Sequence, residues 1–125
     1  MQSSPRIICD IAHNAHGLRY VAEQLLTEHY DRLHIVFGMA NDKDLDSVLA
    51  LMPKKAHYYF TKASVERALN EETLRAQAIR YGLKGACHES VKDAVNSAKE
   101  NAGENDLIFI GGSSFVVADA LPLFI

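Results

Sequence analysis

Arg6-Ile7-Ile8-Cys9-Asp10-Ile11-Ala12-His13-Asn14 opens as a short apolar run and closes on polar side chains. Residues 6–9 show no apolar–polar alternation, which marks a strand covered on both faces. Asn14 suits a helix N-cap, because its short side chain accepts a hydrogen bond from the free N–H groups of a first turn. Leu18, Val21, Ala22, Leu25 and Leu26 then recur at i, i+3, i+4, i+7 and i+8, one face of a helix. A carboxylate, an imidazole and a carboxamide therefore stand where a strand gives way to a helix. Open α/β sheets bind ligands just beyond the carboxyl ends of their strands. The helix N-terminus there suits phosphate or carboxylate.

The same unit recurs along the chain. Residues 33–37 (LHIVF) form a second strand closed by Gly38. Asp44 to Leu51 form a helix with Leu45, Val48 and Leu49 inward and Pro53 just past its end. Residues 57–60 (HYYF) form a third strand, and a short helix is expected around Val65 to Leu69. Asn70 caps the next helix, with Glu71 and Glu72 in its first turn and Gly82 at its end. Gly85 to His88 is a fourth strand. Ser90 opens a helix striped by Val91, Ala94, Val95 and Ala98, and Gly103 breaks it. Residues 107–110 (LIFI) form a fifth strand, Gly111 to Ser114 a turn, and Phe115 to Leu121 a last helix before Pro122. Alternating strands and helices predict a three-layer αβα domain, Rossmann-like, with a mainly parallel sheet. No repeat, low-complexity tract or linker divides residues 1–125, so they read as a single domain. Met1 to Pro5 is polar and expected to be disordered.

Composition narrows the function. At 125 residues and 48% hydrophobic, the chain buries a real core. A net charge of −3 speaks against a nucleic-acid footprint, which needs a basic stripe. An anionic ligand would be held by local groups. Two cysteines without a secretory leader fit a reducing cytoplasm better than a disulfide scaffold. No apolar run approaches the ~20 residues of a membrane helix. No membrane or nucleic-acid partner is expected, and the chain is expected to be a monomer.

Asp10 can accept hydrogen bonds from ribose hydroxyls or orient a base; equally, it can stabilise the dipole of the following helix. His13 can donate to a phosphate oxygen or carry a proton near neutral pH, or it can simply sit at the surface. His13 and His16 have a spacing that permits metal binding, but no further ligand cluster accompanies them, so no metal site is expected. In Gly38 to Asp44 (GMANDKD), Gly38 lets a ligand approach the backbone and Lys43 brings a compact cation; the alternative is a solvated helix start. Gly111-Gly112-Ser113-Ser114 resembles an anion nest, or else a serine N-cap after a tight turn. Phe115 excludes a G-x-S-x-G nucleophile elbow, and nothing marks an activated serine in an Asp10–His13–Ser113 triad. No G-x-x-x-x-G-K-[ST] phosphate loop is present, so an ATP-using enzyme of this type needs that element from elsewhere.

Together these residues carry a family resemblance over nearly the whole chain. The D-x-A-H-N-P pattern appears as Asp10-Ile11-Ala12-His13-Asn14, with Ala15 in place of proline. F-G followed by D-K-D appears as Phe37-Gly38 and Asp42-Lys43-Asp44, T…R-A as Thr61 and Arg67-Ala68, and the closing G-S as Gly112-Ser113. The chain resembles the C-terminal domain of folylpolyglutamate and dihydrofolate synthases, in the Mur ligase superfamily. The resemblance implies part of an ATP-dependent ligase that joins glutamate to folate or dihydropteroate through an acyl phosphate. It implies that a central ATPase domain, not in this chain, holds the phosphate loop and Mg²⁺. This domain would close as a lid over ATP and glutamate, and would be inactive alone. It further implies ATP contacts at Asp10, His13 and Asn14, and catalytic roles for His13 and Lys43. Glutamate contacts would fall to Lys43 and Ser113. The family's upstream arginine has no assigned counterpart, which suggests a chain beginning after the domain boundary. The rival reading is a free-standing flavodoxin-like phospho-acceptor or binding domain.

Overall fold

A computed structural model describes residues 5–12, 14–41 and 44–124. The order is β1 (Arg6–Cys9), α1 (Ala15–Thr27), β2 (Leu33–Phe37), α2 (Leu45–Leu51), β3 (His57–Phe60), α3 (Glu71–Ile79), β4 (Gly85–Cys87), α4 (Val91–Asn101), β5 (Leu107–Gly111) and α5 (Ser114–Ala120). A 3-10 turn, Leu121–Phe124, follows. The sheet runs β1-β5-β2-β3-β4, and every neighbouring pair is parallel. The last strand in sequence thus lies between the first and second, so the exits of β1, β5 and β2 are neighbours.

Both faces are covered, as the unbroken apolar runs require. On one face Ile35, Phe37, Tyr58, Phe60 and Phe109 pack with Leu18, Leu25, Leu49 and Leu74 of α1, α2 and α3. On the other Val36, Tyr59, Ile108 and Ile110 pack with Val95, Ala98 and Val116 of α4 and α5. Each such large side chain, once fully buried, contributes about 1.5–3 kcal/mol. The caps expected from sequence are in place: Asn14, Asn70 and Ser90 each accept backbone N–H groups of the helix they open. Gly82 ends the α3 segment in the left-handed region, at φ 81°.

Three expectations differ. Residues 65–69 are not helical but run back along residues 39–41. Ala40 and Ala68 form an antiparallel bridge, and the Leu69 N–H donates to Met39 O at 2.9 Å. Thr61 N–H donates to Phe37 O at 3.0 Å, so the return begins at the sheet itself. A five-residue helix closes too few internal bonds to repay its nucleation, and the tertiary pairing wins. Leu26 is 74% exposed, because α1 buries a narrower stripe of Leu18, Val21, Ala22 and Leu25. β4 ends at Cys87, although the His88 N–H still reaches Phe60 O at 2.8 Å. The disorder expected for Met1 to Ser4 lies outside the described residues. Among those described, no helix is long and apolar enough to cross a membrane.

Candidate functional site at the carboxyl edge of the sheet

The backbone ladder continues one bond past the strands. Asp10 N–H donates to Ile110 O at 3.1 Å and Gly38 N–H to Gly111 O at 3.3 Å. Asp10 and the Gly111–Ser113 turn are therefore held side by side on one rim, with Gly38 adjoining. The half-buried Asp10 folds back on its own chain, its Oδ1 accepting the Ala12 N–H at 2.8 Å. A carboxylate has two oxygens, so acceptor capacity remains on Oδ2. Asn14 follows on the same loop, its Oδ1 accepting the Gly17 N–H at 2.9 Å. That bond leaves the exposed amide NH₂ for donation.

Ser113 is buried (4% exposed), and its Oγ accepts the Phe115 N–H at 3.1 Å as the N-cap of α5. The cap uses a lone pair and leaves the hydroxyl proton. Gly112 has φ 95°, and a Cβ there would stand 2.4 Å from Gly38 O. A Cβ on Gly38 would stand 2.8 Å from Thr61 O and from Val116 Cγ2. The open approach expected at Gly38 is thus taken up by the protein's own atoms: the β2 and β5 exits press together here. In the D-K-D stretch, Asp44 is the N-cap of α2, accepting the Ser47 hydroxyl at 2.6 Å. The Ser47 hydroxyl and N–H hold the Asp44 carboxyl below its ordinary range. His13 and Lys43 lie outside the described residues, so the common rim is seen for Asp10, Asn14 and Ser113.

Two buried polar atoms near this edge were not singled out as ligands. Thr61, directly after β3, is fully buried with no partner for Oγ1, and Glu71, first residue of α3, has a buried Oε1 without one. Cys9 and Cys87 are not activated nucleophiles. Burial raises both thiol pKa values. Among the described residues no three His, Cys, Asp or Glu side chains group as a metal site.

The opposite edge carries a polar cluster that the sequence reading missed. His34, 1% exposed in β2, bonds Tyr59 Oη through Nδ1 and Asp106 Oδ2 through Nε2, both at 2.8 Å. A carboxylate only accepts, so Nε2–H donates to Asp106, and Nδ1 is left to pair with the Tyr59 hydroxyl. Asp106 also accepts the N–H groups of Arg32 (3.1 Å) and Gly103 (2.9 Å), with the Arg32 guanidinium 3.2 Å away. Burial pushes its pKa up, but Gly103, His34 and Arg32 outweigh that and hold it below the usual carboxylate range. The signal was available: one histidine inside the apolar run LHIVF needs a partner. Cavities of about 540 and 730 Å³ also open at this end, the first beside Arg6, Tyr30 and Asp106. Size alone would draw attention there. Asp106, the buried charge at that cavity, already has both oxygens bonded, so the chemistry is better sought at the carboxyl rim.

Comparison with known proteins identifies the family. The "Mur ligase, glutamate ligase domain" family matches residues 1–114. The dihydrofolate synthase/folylpolyglutamate synthase of Buchnera aphidicola (Schizaphis graminum) is 28% identical over 128 residues, 97% of this chain and 29% of the relative. The Mycobacterium tuberculosis folylpolyglutamate synthase complexed with ADP is 27% identical with a TM-score of 0.81, over 94% of this chain and 29% of that one. E. coli FolC in complex with DHPP and ADP is 25% identical with a TM-score of 0.78, over 98% and 29%. The chain thus spans less than a third of the length of these relatives.

Proposed function

Because this chain belongs to the glutamate ligase domain family of the Mur ligases, we propose that it is the C-terminal domain of a folylpolyglutamate or dihydrofolate synthase. In that reaction the folate or dihydropteroate carboxylate attacks the γ-phosphorus of ATP, giving an acyl phosphate and ADP. The amino group of glutamate, having lost a proton, attacks the acyl carbon; phosphate leaves and an amide forms. The observation that carries the reading is the adjacency of the β1, β5 and β2 exits, which brings Asp10 and Ser113 to one edge.

Each rim residue has a role its geometry can support. Asp10 Oδ2 would accept from the nucleotide's ribose hydroxyls, with the Ala12 bond fixing the carboxylate. Asn14 would donate from its amide NH₂ to the nucleotide. The Ser113 hydroxyl would donate to a carboxylate of glutamate while its lone pair caps α5. By resemblance, His13 would lie against the nucleotide or acyl phosphate, and Lys43 would meet the incoming carboxylate or the acyl phosphate as a compact cation. Among the described residues no side chains group as a metal site, and Mg²⁺ would be held by the remainder of a longer enzyme. A lid that closes over the site would shield the acyl phosphate from water. The same reading places the protein in the cytoplasm, as a monomer.

A chimaera tests the proposal. The corresponding segment of the E. coli relative is replaced by this chain, and glutamate-dependent ADP release is followed with dihydropteroate and with folate as acceptors. Release is expected in the chimaera and not from this chain alone. A chimaera that folds and binds ATP but releases no ADP in response to glutamate would remove the proposal. Lys43→Ala in an active chimaera should lower turnover about 100-fold or more while leaving stability nearly unchanged; unchanged turnover would take Lys43 out of the site.

A further inference from the structure

Thr61 and Arg67-Ala68 bracket the segment that leaves β3 and returns along the exit of β2. Its first residues are seated against α5: Ala63 is buried and shares an apolar cluster with Val116 and Ala120. Ser64 then fastens the segment to that helix. Its N–H donates to Asp119 Oδ2 at 2.7 Å and its hydroxyl to Asp119 Oδ1 at 3.1 Å. Both oxygens of one carboxylate are used, and hydrogen bonds to a charged acceptor are the stronger kind. Past this clasp the segment takes hold of the loop after β2. Asn41 N–H donates to Arg67 O and Leu69 N–H to Met39 O, with the Ala40–Ala68 bridge between them. Apart from that bridge, residues 39–41 lie outside any helix or strand, so their position depends on these few bonds.

The two ends of this path are the two residues assigned to glutamate. Ser113 caps α5 at its start, and Asp119 lies near the other end of the same helix. Lys43 follows Asn41 by two positions in the chain. One continuous path therefore runs from Ser113 along α5 to Asp119, across to Ser64, and through residues 65–69 to Asn41 and the Lys43 loop. We propose that Asp119 is a positioning residue for glutamate: through Ser64 it ties the Lys43 loop to the helix that Ser113 caps. The ammonium and the hydroxyl then meet one substrate together. Asp119 acts through the backbone and not by touching substrate. Such a tie matters because a 1 Å misplacement of a binding group can cost about 100-fold in rate. The role rests on the proposed ligase activity, but the tie itself does not.

Amide hydrogen exchange in the full chain tests the tie without any activity. Asp119→Ala should speed exchange at Asn41 and Leu69 about fivefold or more, and leave Ile35 and Phe109 in the sheet as they were. Asp119→Asn should restore slow exchange, because its amide oxygen accepts the Ser64 N–H and its NH₂ can donate to the Ser64 hydroxyl oxygen. In the chimaera with the E. coli relative, Asp119→Ala should raise KM for glutamate about fivefold and leave KM for ATP within about twofold. Ser64→Ala, which removes only the hydroxyl bond, should give a smaller rise in the same direction. Placed on Lys43→Ala, Asp119→Ala should add no further rise, since the loop then has no ammonium to place. Unchanged exchange at Asn41 and Leu69 would overturn the tie. Faster exchange with KM for glutamate unchanged, with both KM values raised alike, or with a full further rise on Lys43→Ala would overturn the positioning role. A parent chimaera without glutamate-dependent ADP release would instead remove the ligase activity, and this role with it, whatever the exchange result.

Discussion

The two ends of the sheet handle buried polarity in opposite ways. At the amino end, Asp106, His34, Tyr59 and Asn101 form a chain in which the strongest donors and acceptors already meet. At the carboxyl rim, Asp10 has one oxygen committed, Ser113 one lone pair, and Thr61 Oγ1 and Glu71 Oε1 none. A polar network that closes on itself joins strands and loops; one left incomplete has capacity for something outside the chain. The contrast separates a structural cluster from a candidate site better than cavity size, which favours the amino end.

Substitutions at the two ends should break this contrast unequally. Asp106→Ala should cost the most, about 3–5 kcal/mol in urea melts, because it strands the buried His34 without its partner and removes the acceptor of the Arg32 and Gly103 N–H groups. A loss under 1 kcal/mol would mean that the network is not a stabilising closure. Gly112→Ala should come next, at more than about 1 kcal/mol, since alanine resists φ 95° and its Cβ would meet Gly38 O. If Gly112→Ala melts like the parent chain, the β2 and β5 exits are not pressed together. Ser113→Ala should cost about 1 kcal/mol of stability, the worth of an N-cap, and in the chimaera should raise KM for glutamate more than for ATP. Equal effects on both KM values would assign Ser113 to folding alone. Asp10→Asn should be mildest for stability, below about 1 kcal/mol, yet should raise KM for ATP.

Acid offers a further way to sharpen the contrast. The folded Asp106 pKa is lowered, so its stabilisation is fully present above the unfolded value of about 3.9 and is lost as pH falls through the folded value. Stability should therefore decline below about pH 4, and Asp106→Asn should flatten that decline. An identical acid profile in the variant would shift the cause to other carboxylates.

Much of the fold was legible because local rules and long-range packing agree. LHIVF and LIFI lack polar alternation and are strands buried throughout, whereas RIIC is the edge strand β1, exposed at Arg6 and only partly buried at Ile7, Ile8 and Cys9. Asn14, Asn70 and Ser90 read as caps and are caps. Residues 65–69 misled because their partner, Met39 to Asn41, lies more than twenty residues away and competes with a weak local helix. The rim was legible in part. Asp10, Asn14 and Ser113 stand at strand exits as expected, while Thr61 and Glu71 gave no sign that they would be buried without partners. The buried histidine was visible in LHIVF, but Asp106 and Tyr59 became its partners only through strand order.

By itself the sequence determined the alternation of strand and helix, the burial of both sheet faces and the residue types at each strand exit, because period, capping and side-chain volume act over a few residues. Only the tertiary structure decided that β5 lies between β1 and β2. That placement sets Asp10 beside Gly111–Ser113 and His34 beside Asp106, since hydrogen bonding between strands depends on which edges meet in space and not on their separation along the chain.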